Sequence, residues 1–115
     1  MIDSADFTEE NLKLFTLARA ARARNNVEQG AAVRDISGRS YSATMVALES
    51  FNLDALQSAI AAAVSSGAIG LEAGVVVGTA PTPAARVAFF EFAGAIPLWH
   101  EDEFGSTKVL VKASA

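Results

Sequence analysis

The residues able to do chemistry are few and widely spread. His100-Glu101-Asp102-Glu103 is the densest group of possible metal or proton ligands, and His100 is the only histidine. One imidazole with carboxylates at adjacent positions lacks the spacing of a dedicated zinc site, because consecutive side chains point towards different centres. Calcium needs several oxygens from a shaped loop, and the stretch has no EF-hand glycine pattern. It reads as a solvated acidic turn following Pro97-Leu98-Trp99. Ser65 and Ser66 lack a neighbouring base and read as helix-end residues. Gly70, Gly74 and Gly78 flank a strand without the lysine of a phosphate-binding loop. Arg19, Arg22 and Arg24 mark the end of a helix, where cations suit the dipole. Tyr41 and Trp99 could stack on a base, but at strand positions they read as core.

The chain must position these groups with few elements. Asp6 and Glu9 are spaced as a capping box, and Leu14, Leu17, Ala18 and Ala21 continue as an apolar stripe, predicting a helix near residues 7–24. Residues 29–34 and 39–48 read as a hairpin turning at Asp35-Ile36-Ser37-Gly38. Asn52 suits the cap of a second helix, 52–66, with Leu53, Leu56, Ile60, Ala63 and Val64 along its apolar side and Gly67 stopping it. So little charge predicts that this helix is covered on more than one side. The continuous run Val75-Val76-Val77 within 71–77 predicts a central strand buried on both faces. Thr82 and Pro83 suit the cap and first position of a third helix, 83–93, with Ala85, Ala88, Phe89 and Phe92 at helical spacing. Strands over 96–100 and 108–112 complete the order α-β-β-α-β-α-β-β, a mixed sheet of about five strands with helices on its faces.

With 115 residues the chain has the length of a single domain, 1–115, with one real core. A net charge of −4 gives no general attraction for nucleic acid, which requires clustered lysine and arginine. The lack of cysteine removes disulfides, thiolate zinc ligands and cysteine nucleophiles together, and fits a reducing compartment. The polar, acidic start has neither the basic nor the apolar region of a secretory signal, and no apolar run nears the roughly 20 residues of a membrane helix. The expectation is a cytoplasmic protein without membrane or nucleic-acid partners.

Particular residues at the joints of these elements resemble the small zinc-dependent cytidine deaminases, from about Leu12 to Phe92. They are Gly30-Ala31-Ala32-Val33, Gly38-Arg39-Ser40-Tyr41, Ala59-Ile60, Ala63-Val64-Ser65, Gly67, Arg86 and Glu91-Phe92. All are residues of the scaffold. The resemblance implies an α/β, three-layer cytidine deaminase-like fold, and a chemistry in which zinc keeps three protein ligands and an open position for water while a glutamate moves protons. The family's motifs are Cys- or His-Ala-Glu at one helix start and Pro-Cys-x-x-Cys at another. Asp54-Ala55-Leu56 and Pro81-Thr82-Pro83-Ala84-Ala85-Arg86 stand in their places. Asp54 thus replaces the first ligand, Leu56 the glutamate, and Thr82 and Ala85 the two cysteines.

The family's Asn-x-Glu, which holds a ribose, corresponds to Met45-Val46-Ala47, beside an apparent deletion. Leucine cannot transfer protons, alanine cannot bind metal, and an aspartate in a helix's first turn is favourable for the dipole alone. The expectation is a non-catalytic member: no catalytic residues, no zinc or other cofactor, and a binding or assembly module whose small-molecule ligand is unnamed. The alternative is an enzyme with a divergent site, a nucleoside deaminase or hydrolase using the His100 cluster or Asp54 with Thr82. Because relatives assemble, the resemblance implies a homo-oligomer, a dimer or tetramer. Asp54, Leu56, Thr82 and Ala85 are expected to line a vestigial pocket where two helix starts converge.

Overall fold

A computed structural model describes residues 7–111. Helix α1, Glu9–Asn25, begins at Thr8, whose hydroxyl accepts the Asn11 N–H. Asp6, expected as the cap, lies outside the described residues. Glu9 and Glu10 in the first turn and Arg22 and Arg24 in the last complement the dipole, and Asn26 ends the helix in the left-handed region at φ 51°. The buried face is Leu14, Phe15, Ala18 and Ala21. Leu17, expected on that stripe, is 38% exposed, because Phe15 takes the sheet side of Leu14 and turns position 17 outward.

Strands β1, Gln29–Asp35, and β2, Ser40–Thr44, form the predicted hairpin, ending at the register Gly30↔Thr44. The single long strand expected to residue 48 is instead divided. β1 begins at Gln29, so the chain beyond Thr44 has almost no strand left to pair with. It pairs with itself as β3, Val46–Leu48, and β4, Phe51–Leu53, a separate two-stranded ribbon. Asn52 lies within β4 and does not cap the second helix. That helix, α2, runs Ala55–Ser65 from the cap Asp54, so Leu53 precedes it. Its outer side stays open, since Ala61, Val64 and Ser65 are exposed. Next come β5, Leu71–Gly78; α3, Pro83–Ala93, with Thr82 as cap and Pro83 at its start; β6, Leu98–Glu101; and β7, Thr107–Val111. Lys112, expected at the end of the last strand, lies outside the described residues.

The sheet is mixed, five-stranded and ordered β2-β1-β5-β6-β7, with β5 parallel to β6 and the other pairs antiparallel. One face carries α1, where Leu14, Phe15 and Ala18 pack on Ala32, Ala73, Val75, Val77 and Trp99. The other carries α2 and α3, where Leu56, Ile60 and Phe89 pack on Ala31, Val33, Val76 and Leu98. This is the three-layer α/β arrangement expected. Close approach is enforced by glycine. A Cβ on Gly30 would stand 2.4 Å from the Ala18 carbonyl oxygen of α1, and one on Gly74 would stand 2.7 Å from the Phe89 ring of α3. Among the described residues, no helix is long and apolar enough to cross a membrane.

The turn between β1 and β2 has a buried carboxylate at its centre. Asp35 Oδ1 accepts the backbone N–H groups of Ser37 and Arg39, both at 2.9 Å. Its Oδ2 accepts from Arg39 Nε at 3.1 Å and from the Tyr41 hydroxyl at 2.9 Å. Burial pushes this carboxyl up, but the donors from Arg39, Tyr41 and Ser37 outweigh it and hold Asp35 below the usual carboxylate value. Burial and the bond to Asp35 push the Tyr41 phenol up. Tyr41 is therefore part of the scaffold, packed against the core beside α2.

A carboxyl whose folded pKa lies below its unfolded value stabilises the fold at neutral pH, and that contribution is lost as pH falls through the folded value. Asp35→Asn is expected to lower the thermal midpoint at pH 7. The gap from wild type should narrow as the pH is taken below the usual aspartate range. A gap that is constant with pH would contradict this role.

Candidate functional site

The starts of α2 and α3 meet beside the C-terminal end of β5 and the first residue of β1. Each helix start leaves backbone N–H groups without intrahelical partners and a positive end to its dipole. Asp54 answers both. Its Oδ1 accepts the Gln57 N–H at 2.8 Å, and the Gln57 side chain accepts the Asp54 N–H at 2.9 Å, closing a capping box. Asp54 Oδ2 accepts the Thr82 N–H at 2.8 Å and the Thr82 hydroxyl at 3.2 Å. Thr82 Oγ1 in turn accepts the Ala85 N–H at 3.1 Å and so caps α3.

Gln29 supports the same junction from below. This buried side chain accepts the Ala55 N–H at 2.7 Å and donates to the carbonyls of Thr79 and Ala80 at 3.0 and 3.1 Å. It thus joins β1, the first residue of α2 and the loop leading to α3. In the sequence Gln29 reads as an ordinary strand start. Its partners are 26, 50 and 51 residues away, so no local pattern could have shown them.

Above this junction lies an open cleft of about 460 Å³, walled by Met45, Asn52, Leu53, Asp54, Gln57, Thr79, Thr82 and Ala84, with Gln29 and Ala80. Asp54 and Thr82 are thus brought together on its wall. Leu56 and Ala85 are not on the wall. Both are fully buried below it, because the second residue of α2 and the third of α3 turn towards the sheet. Met45 lines the cleft where the family's ribose-holding motif was placed, while Val46 and Ala47 enter β3.

Zinc requires three side-chain donors converging on one point. Both oxygens of Asp54 already accept hydrogen bonds, the Thr82 hydroxyl is engaged with Asp54 and Ala85, Leu56 is in the core, and Ala85 has no donor atom. Among the described residues, no group of three His, Asp or Glu side chains could hold a metal ion. The donors present do not fit the zinc of the resembling family.

The other candidate cluster is dispersed. His100 is buried in β6, and its Nε2 hydrogen-bonds the Gly78 carbonyl at 2.7 Å. Glu101 forms a two-pronged ion pair with Arg19, which gives that arginine a partner within the fold. Asp102 Oδ1 accepts the N–H groups of Phe104 and Ser106, shaping the turn, and Glu103 is exposed. These side chains serve separate local tasks and form no shared centre. Trp99 is buried beside Phe15, so it offers no stacking surface.

The family model described as cytidine deaminase-like matches residues 7–105. Among solved structures, the fold is similar to a cytidine deaminase from Burkholderia pseudomallei, at TM-score 0.79 and 22% identity over 91% of this chain and 93% of that one. It is also similar to one from Mycobacterium leprae, at TM-score 0.66 and 25% identity over 84% and 90% of the two chains. A third, from Mycobacterium tuberculosis, matches at TM-score 0.67 and 22% identity over 84% and 87%. No curated protein matches the sequence.

The two caps form one coupled unit. Asp54→Ala is expected to destabilise the fold by about 1–2 kcal/mol and Thr82→Ala by about 1 kcal/mol. Because the residues share hydrogen bonds, the double variant should lose less than the sum, with a coupling of at least about 0.5 kcal/mol. Urea unfolding of the four proteins measures this, and strictly additive losses would contradict the tie between the helices.

Proposed function

The chain belongs to the cytidine deaminase-like family, and we propose that within it the protein is a non-catalytic member, a binding or assembly module that carries out no zinc-dependent deamination. The observation that carries this reading is the state of Asp54. The carboxylate in the first ligand's place is engaged by the Gln57 N–H, the Thr82 N–H and the Thr82 hydroxyl. A metal there would have to displace these bonds, and would find a buried leucine and an alanine where a proton shuttle and a third ligand are needed. The junction that holds a catalytic ion in the resembling chemistry is here a hydrogen-bonded joint. The cleft above it is open and retains polar walls, which suits binding without turnover. The protein is further proposed to work as a homo-oligomer, in keeping with exposed apolar side chains such as Leu48, Phe51, Val87 and Phe90.

The alternative, an enzyme with a divergent site, would draw on Asp54 with Thr82 or on His100. The first pair is committed to capping and the second is held to a backbone carbonyl. The non-catalytic reading therefore accounts for more of the geometry.

Metal analysis and a cytidine deamination assay on the purified protein test the proposal together. Zinc well below one equivalent, no thermal stabilisation by added zinc and no conversion of cytidine are expected. Stoichiometric zinc that is lost in Asp54→Asn, or turnover of cytidine abolished by the same change, would overturn it.

A further inference from the structure

Helix α3 has only two charged residues, Arg86 and Glu91, and they flank an exposed apolar pair. Val87 is 66% and Phe90 58% exposed. At 3.6 residues per turn, Arg86, Phe90, Val87 and Glu91 lie in that order around about 140° of the helix surface. The opposite side, Ala85 and Phe89 with Ala88 and Phe92, packs on the core. The outward stripe is therefore a charged flank, two apolar positions three apart, and a flank of opposite charge. In heptad terms these are g, a, d and e.

From this stripe we propose that α3 packs against α3 of a second copy of this chain, parallel, about a two-fold axis running along the helices. The inference rests on the assembly part of the proposed function and assigns its face and direction. In a parallel pair, the residue just before the first apolar position of one helix meets the residue just after the second apolar position of the other. Arg86 of each copy then meets Glu91 of its mate on both flanks, while Val87 and Phe90 close the seam. An antiparallel pair would set Arg86 beside Arg86 and Glu91 beside Glu91, which repel. Both charged side chains are exposed. Among the described residues, Arg86 is tethered by a long contact of 3.4 Å from Nη2 to the Leu110 carbonyl, which the side chain can leave. The charge pattern thus selects both the partner and its orientation.

Sedimentation of the protein across the micromolar range tests this, using wild type, Arg86→Glu, Glu91→Arg and the double exchange. Wild type should dimerise. Each single reversal puts like charges on both flanks and should weaken dimerisation roughly tenfold or more. The double exchange should restore it. An equal mixture of the two single variants should form heterodimers more tightly than either forms homodimers, a result that misfolding cannot imitate. Far-ultraviolet circular dichroism should be the same for all four proteins. A wild type that stays monomeric would overturn the assembly reading and this inference together. A wild type that associates but is indifferent to the single reversals, or is not restored by the double exchange, would overturn the assigned face or direction and leave assembly standing.

Discussion

Two helix starts brought to one point create an electrostatic problem that the rest of the molecule is arranged around. Their free N–H groups and positive dipole ends face each other across a short gap. An anion or an array of acceptors must sit between them. In this protein Asp54 is that anion, with Thr82 as relay and Gln29 as the neutral acceptor beneath. One carboxylate closes the first turn of α2 and takes both donors of the residue that caps α3. The interaction is local at each end and long-range in its effect, because it fixes the helices relative to each other as well as to the sheet.

The sheet order makes the junction possible. β1 and β5 are adjacent and antiparallel, and Gln29 opposes Gly78 at the start of one and the end of the other. The chain enters α3 from that end of β5, while the β3–β4 ribbon delivers Asp54 to the same place. Close layers are needed for these short hydrogen bonds to meet, and the bare faces of Gly30 and Gly74 allow α1 and α3 to approach the sheet. Small core residues such as Ala31, Ala32, Ala55 and Ala59 extend that closeness. The alanine content that makes the composition look apolar without much bulk is thus what permits the packing.

Much of this was legible in the sequence, and the exceptions have physical causes. Thr82-Pro83 marked the start of α3, because a capping hydroxyl followed by proline is a local signal, and the valine run marked β5 because burial on both faces removes alternation. The start of α2 reads from sequence as Asn52, whereas the helix is capped by Asp54. Two capping residues stood close together, and only Asp54 has the glutamine three positions on that completes the box. The β3–β4 ribbon was missed because pairing after Thr44 is decided by where β1 begins, a tertiary fact. Asp54 and Thr82 were identified through motif positions, whereas Gln29 could not be. Leu56 and Ala85 were expected on a pocket wall, but helix phase turns them inward.

If hydrogen bonds centred on Asp54, and not a bound ion, hold the starts of α2 and α3 together, the amides they cap are protected without metal. Amide hydrogen exchange at Gln57, Thr82 and Ala85 measures this protection most directly, since these N–H groups are the ones capped. They are expected to exchange slowly in protein treated with chelator, at rates that added zinc leaves unchanged. Fast exchange in chelator that slows when zinc is supplied would contradict it.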